Sequence, residues 1–327
     1  MKEKLVNLTR RYFPVRVGVC IIDDLIHGLG RSLGFKRSRL GATHASLDES
    51  ESVAYIENVY TSYKRYAQLE NFSGRIAEVG PGDTAGVALL MRKDGCEEAD
   101  LIDRYVTIRK AEHQSKIYNA LARRHSLFGF KSDGEWDDRR FAGITWKLGI
   151  SAEHYFKDCS KKGTRLYDVI VSWTVLQHLY DPLGATRNMI ECLKPGGRIC
   201  HLVDMRDLGI FTPIHHPLTY LRVPSGLYRF MTQNSGRSNR VLVHRYRALM
   251  EVLKKEGLIQ DFTTLVSSLV KVGKIEPCRP FEQIDPLLRR KAIFFVERHR
   301  KTFAREFRNV SSRDLAVSGI ILVAVRK

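Results

Sequence analysis

The stretch IAEVGPGDTAGVALL, Ile76 to Leu90, ends a short apolar run in an acid, crowds Gly80, Pro81 and Gly82 together, and then begins an apolar pattern at helical spacing. A small-residue turn that leads from a strand into a helix exposes backbone N–H groups, so a ligand can lie directly on the main chain. Gly80 to Ala85 satisfies G-x-G-x-x-A, a pattern that serves dinucleotides, and taken alone it does not choose a ligand. Glu78 narrows the choice. A carboxylate two residues before the first glycine attracts an ammonium and repels a pyrophosphate. Asp103 follows 25 residues later, at the end of the next apolar run, where it can accept bonds from both hydroxyls of a ribose. Further along, His178, His201, Asp204 and Asp207 fall at or near the ends of two more apolar runs and supply candidate general bases for a hydroxyl acceptor. His201 lies inside its run, where a buried, hydrogen-bonded histidine is a slightly better reading than a base.

Positioning these groups requires strands that alternate with helices. RIAEV (75–79), ADLIDRY (99–105), ITWKLGI (144–150), YDVIVSW (167–173) and RICHLVD (198–204) read as strands. Ala85–Lys93, Ala111–Arg124 and Pro182–Leu193 read as the intervening helices, and KPGG as a turn. Such alternation implies a parallel, doubly wound sheet with ligands at the carboxyl ends of its strands. Ser46–Leu69 opens with capping residues and places Val53, Ile56, Val59, Tyr60, Tyr63 and Ala67 at helical spacing. Its tyrosines fit plain packing better than pocket lining. Residues 1–50 read as an irregular or partly helical lead-in. Beyond Asp204 come a Gly/Pro/His-containing insertion (206–240), a helix (about 241–256), a strand (about 259–270), a basic helical segment (285–308) and a last strand (316–325).

The whole-chain numbers set limits on partners. The net charge is +18, with a pI near 9.7. From Arg206 onward 23 Lys/Arg face 10 Asp/Glu, so most of the excess lies in the last third. That surface favours anionic partners. Six scattered cysteines form no CxxC pair and no Cys/His cluster at metal spacing, so no metal is expected. No run of about 18 apolar residues exists, and the N-terminus makes a poor secretion signal. The expectation is a cytoplasmic protein, peripheral to a membrane at most.

The motifs AEVGPGDT, LIDRY, GISAEHY, YDVIVSWTVLQHLYD and LKPGGRI, in this order and spacing, resemble those of the class I S-adenosylmethionine-dependent methyltransferases. The match covers about 75–204, and the tail DLAVSGIILVAVRK suits that family's antiparallel last strand. The resemblance implies a Rossmann-like α/β fold with seven strands in the order 3-2-1-4-5-7-6. It implies an N-terminal helical extension (1–72) and a methyltransferase domain (73–327), with 206–240 as a cap and 275–312 as a basic helical insertion. S-adenosylmethionine would then be held by Glu78, Gly80, Pro81, Gly82, Asp103, Arg104, Ser151, Ala152 and Ser172. Ser151 stands where the family commonly has an acid toward adenine, and Thr84 replaces the third glycine of the loop.

The run from CHLVD to KKEGL also resembles a bacterial subgroup with H-x-x-D-x-R-D after strand five and N-R-x-R…Y before the next helix, associated loosely with polysaccharide and glycolipid synthesis. His201, Asp204, Arg206, Asp207, Asn239, Arg240 and Tyr246 match, while Leu242 replaces the second arginine. The implied arrangement has Arg206, Asp207, Asn239, Arg240 and Tyr246 framing the acceptor, with His178, His201 and Asp204 orienting or deprotonating it. The expected reaction is methyl transfer to an atom, oxygen before nitrogen, of a small molecule, sugar or lipid-linked glycan. Methylation of RNA through the basic C-terminal surface, nicotinamide-dependent oxidoreduction, and cofactor binding without catalysis stay open as alternatives. Eight Lys/Arg against three acids between Asp285 and Arg308 read first as a solvated helix face, and second as a dock for an anionic membrane surface or nucleic acid.

Overall fold

The computed structural model describes residues 2–33, 37–38, 42–107, 109–131, 136–137 and 139–327. A central sheet of eight strands holds the chain together. In chain order these are β1 (Gly74–Val79), β2 (Cys96–Asp103), β3 (Ile144–Leu148), β4 (Tyr167–Trp173), β5 (Leu193–Asp204), β6 (Ile259–Leu269), β7 (Gly273–Arg279) and β8 (Val317–Arg326). Their spatial order is β3-β2-β1-β4-β5-β8-β6-β7. The first five are mutually parallel, whereas β8 inserts antiparallel between β5 and β6. The expected 3-2-1-4-5-7-6 order is therefore present with one strand added. Gly273–Arg279 turns back from β6 and pairs antiparallel at the edge, where the family resemblance implies the start of a basic insertion.

One other local reading differs from the outcome. KPGG does not stand before its strand as a turn; it belongs to β5. A break in register between Tyr167 and Val169 accommodates it as a bulge, and Gly196 takes φ +76° there. The lead-in is more helical than its composition suggests: α1 (Lys2–Arg11) and α2 (Phe13–Ser32) fill most of it.

Helices cover both faces of the sheet. The third, α3 (Glu49–Ala67), starts at a capping box. Asp48 accepts from Glu51 N at 2.8 Å, and the Glu51 carboxylate accepts from Asp48 N at 3.0 Å. Its buried residues Val53, Ile56, Val59, Tyr63 and Ala67 are those whose spacing announces the helix. With α4 (Gly86–Lys93) and α5 (Ala111–His125) it forms one core layer against the sheet. The opposite layer contains α6 (Ala152–Lys161), α7 (Pro182–Glu191), α8 (Ser225–Thr232), α9 (Val243–Lys255) and α10 (Pro286–His299). Both layers leave the carboxyl ends of β1, β2, β4 and β5 open, and the candidate groups gather there.

Candidate active site

Two adjoining cavities occupy that end of the sheet. The first, about 300 Å3, lies over β1, β2 and β4. Glu78, Gly80, Pro81, Gly82, Asp103, Arg104, Ser151, Ala152 and His178 all line it, so the structure brings together eight of the nine expected cofactor residues and one expected base. Ser172 is the exception. Its side chain is buried inside the sheet, with its hydroxyl 2.8 Å from His201 Nδ1.

Glu78 is the electrostatic centre of this cavity. Its side chain is buried, and Oε2 finds no hydrogen-bond partner among the described residues. Burial pushes its carboxyl up to about 8. A buried acceptor left open costs free energy until something donates to it. Asp103 closes the far side. It accepts from Tyr105 N at 2.8 Å, and the Gly82 backbone N–H also donates toward it. Burial nevertheless raises it to about 6, against the opposing pull of those donors and of Arg104. Ser151 caps α6 by accepting from His154 N at 3.3 Å, and Arg104 lies 4.3 Å from the Tyr180 ring centroid.

The glycines obey a nearer constraint than the ligand. Gly80 and Gly82 adopt φ +68° and +72°, a region costly for residues with a Cβ. A Cβ on Gly80 would sit 2.4 Å from Val175 Cγ2. The chain's own valine thus enforces the bare backbone at that position.

Several wall residues carry no signal in the sequence. Thr43 and His44 reach the cavity from the N-terminal segment, Tyr55 and Val59 from α3, and Gly236 from the 206–240 insertion. Asp83 fastens the segment by accepting from His44 N (3.2 Å) and Ala45 N (3.0 Å), and His113 Nε2 donates to His44 O at 2.8 Å. Tyr55 belongs to the tyrosine-rich helix whose spacing favours plain packing; no local pattern marks Thr43, His44 or Gly236.

Gly236 matters for His178. The ring's Nδ1 donates to Gly236 O at 2.8 Å, which leaves Nε2 as the basic nitrogen. Burial lowers the imidazole below its ordinary value, which favours the neutral ring with its lone pair on Nε2.

The second cavity, about 590 Å3, opens between α3, the end of β5 and the β6–β7 hairpin. Trp173 and Thr174 line both cavities and form the wall they share. Thr174 has φ +57°, an outlier for a β-branched residue, held by its N–H to Leu202 O at 2.9 Å. Asp204 and Arg206 line this second cavity, as do Ser267, Ser268 and Lys271. The Asp204 carboxylate is engaged by Arg206 of its own turn, with Nε at 2.9 Å from Oδ1.

The other expected acceptor or catalytic residues line neither cavity. His201 is enclosed by the sheet, and burial pushes it down to about 3, so it stays neutral. Asp207 is buried and accepts from Phe211 N (2.9 Å), Thr212 N (3.0 Å) and Thr212 Oγ1 (2.6 Å), shaping its own loop. Asn239 donates to Leu176 O and Leu179 O, bracing the turn that carries His178. Arg240 caps Tyr220 O and Val223 O between the rings of Tyr228 and Phe307. Tyr246 is wholly buried in the core. Buried polar side chains of this kind read in sequence like site residues, because both need fixed partners.

A doubly wound sheet with an acid and a glycine turn after its first strand, a second acid after the next, and an antiparallel strand inserted beside the fifth defines a class of nucleoside-cofactor transferase. A family model described as a methyltransferase domain matches residues 55–246, and the chain belongs to that family, as a class I S-adenosylmethionine-dependent methyltransferase. A search of curated proteins returns no match. Among solved structures, the chain is similar to phosphoethanolamine N-methyltransferase 2 of Haemonchus contortus in complex with S-adenosyl-L-methionine, at 14% identity and TM-score 0.41, covering 84% of this chain and 56% of that one. The chain thus spans little more than half the length of that enzyme. It is also similar to the N-methyltransferase NodS of Bradyrhizobium japonicum WM9 in complex with S-adenosyl-L-homocysteine (13% identity, TM-score 0.35, covering 83% and 86%). A third is the YcgJ protein of Bacillus subtilis (12%, 0.40, 83% and 99%).

Proposed function

We propose that the protein transfers the methyl group of S-adenosylmethionine to a hydroxyl of a polar small molecule, sugar or lipid-linked glycan bound in the larger cavity. The observation that carries this reading is the buried, unpartnered Glu78 oxygen beside Gly80 and Gly82. It matches the ammonium of an amino-acid tail and opposes a diphosphate. Asp103 suits the ribose hydroxyls, and the Ser151–Ala152 corner suits the adenine. When bound, S-adenosylmethionine supplies a methyl carbon already activated by positive sulfur. The chain's own work is alignment and exclusion of water. Trp173 and Thr174 line both the donor cavity and the acceptor cavity, so a hydroxyl held among Ser267, Ser268 and Arg206 reaches the methyl carbon past these two side chains. His178 takes the acceptor's proton at Nε2, while Gly236 O fixes its tautomer. Asp204 holds Arg206 against the acceptor.

Calorimetry with S-adenosylmethionine, S-adenosylhomocysteine, NAD and single-stranded RNA tests the donor. Both sulfur ligands should bind and NAD should not; NAD binding alone would sink the reading in favour of an oxidoreductase. Methyl-labelled donor offered to sugar phosphates, lipid-linked glycans, small hydroxylated or amino acceptors and RNA then tests the acceptor. With the acceptor so found, His178→Ala should lower turnover by about 10²- to 10⁴-fold at little cost in cofactor affinity. Unchanged turnover would remove the base from His178, and labelled RNA alone would move the acceptor to nucleic acid.

A further inference from the structure

Helix α2 is apolar on two opposite faces. One face is docked: Val17, Cys20 and Asp24 are buried, and α2 packs along α8. Asp24, with no exposed surface, accepts from Asn234 N (2.9 Å), Asn234 Nδ2 (2.9 Å) and Ser235 N (2.8 Å). Arg16 Nε donates to Ile210 O at 2.6 Å. The helix is therefore a fixed part of the molecule.

The other face points to solvent. Val15, Ile22, Leu25 and Ile26 recur at helical spacing and leave 50–61% of their surface exposed. At 1.5 Å per residue the stripe runs about 16 Å along the helix. Leu227 and Phe230 on the neighbouring α8 are exposed as well, at 40% and 55%. A stripe of four exposed apolar side chains along one helix face exceeds the scattered exposed residues that any surface carries. No helix among the described residues is long and apolar enough to cross a membrane.

We propose that this α2 stripe seats the protein on an anionic lipid bilayer, with its apolar side chains in the headgroup–acyl boundary. Charge selects this occupant. Exposed Arg11 and Arg229 lie on α1 and α8, the two helices packed against α2, in a chain of net charge +18. Apolar insertion flanked by cations is how interfacial helices bind anionic membranes. A second copy of the chain would double the net charge of +18, which opposes self-association. The surface differs from the basic segment 285–308 that stands out in the sequence, and the inference rests on none of the residues assigned to methyl transfer. It has a bearing on them nonetheless. Asp24 ties the seated helix to Asn234 and Ser235, next to Gly236, whose carbonyl holds His178. A lipid-linked acceptor would meet the catalytic histidine at a fixed height above the bilayer.

Vesicle flotation of the full chain tests this. Vesicles of phosphatidylcholine with phosphatidylglycerol should carry the protein, phosphatidylcholine alone should not, and high salt should release it. The triple variant Ile22→Ser/Leu25→Ser/Ile26→Ser should lose about tenfold or more in vesicle affinity while binding S-adenosylmethionine as before. All three residues are exposed, so folding should survive. As an independent arm, Arg11→Ser/Arg229→Ser should weaken binding and flatten its salt dependence. Equal flotation on neutral and anionic vesicles, or unchanged flotation of the triple variant, would overturn the proposal. So would light scattering that shows a dimer which the triple variant dissolves. Loss of flotation in Leu287→Ser/Phe294→Ser with the α2 stripe intact would move the seat to α10 and overturn it too.

Discussion

Glu78 is a carboxyl that the fold holds in its less usual state. Burial raises it from 4.5 to about 8, and burial also raises the phenols of Tyr55 and Tyr63, with the Glu78 charge adding to both. In the ligand-free protein the folded state keeps this proton up to about pH 8, whereas the unfolded chain releases it near 4.5. The native state therefore loses stability as pH rises through that window and levels off above about 8. A bound ammonium reverses the preference, because it favours the carboxylate. Cofactor affinity should thus increase from about pH 6 to about pH 8 with release of one proton, measurable as buffer-dependent heat in calorimetry. Glu78→Gln should abolish that proton release, weaken cofactor binding at least about tenfold, and raise the apo melting temperature at about pH 8. An unchanged affinity would detach Glu78 from the ligand. The type and position of this acid are legible in the sequence, as are Gly80, Gly82 and Asp103, because a strand–turn–helix junction is a local object. The identity of the group that excludes a side chain at Gly80 is not: Val175 lies far along the chain and meets it only after β1 and β4 pair.

At the scale of elements, the first cavity is completed by pieces outside the βα alternation. The segment at Thr43 and His44 is latched by Asp83, which is buried with two backbone N–H donors on it. Removing such an acceptor leaves buried donors unpaired at about 1–3 kcal/mol. Asp83→Ala should therefore loosen the 42–46 segment, seen as faster amide exchange or proteolysis there, and weaken cofactor binding about tenfold. Unaltered exchange would show that the latch does not hold the wall. Capping signals announce α3 well, since its box lies within four residues. They say nothing of which face of α3 meets a cavity, because Tyr55 and Tyr63 are the same residue type. One lines the ligand space and the other is buried at the layer between α3 and the sheet. Asn239 and Arg240 show the same limit from the other side: their types suit a substrate clamp, yet both are consumed by backbone carbonyls.

Across the whole molecule, the last strand matters out of proportion to its length. β8 lies between β5 and β6 and registers with both, from Gly319 opposite Asp204 to Val325 opposite Arg198 on one side. Deleting 317–327 removes the strand that joins the parallel part of the sheet to the β6–β7 hairpin. The product should be insoluble or molten by circular dichroism, whereas deleting 2–11 should leave a cooperative melt. A folded, cofactor-binding product of the C-terminal deletion would show that the parallel half stands alone. Local pattern was enough for the alternating elements and for the acid and glycine turn after β1, because each rests on periodicity and turn chemistry within a few residues. The sheet order came only from the family resemblance. Placement of the second cavity, the tautomer of His178, the retirement of His201 into the sheet and the one-faced docking of α2 needed the folded chain. Each of these depends on which side chains from distant segments arrive at one point, and on how much water their arrival removes.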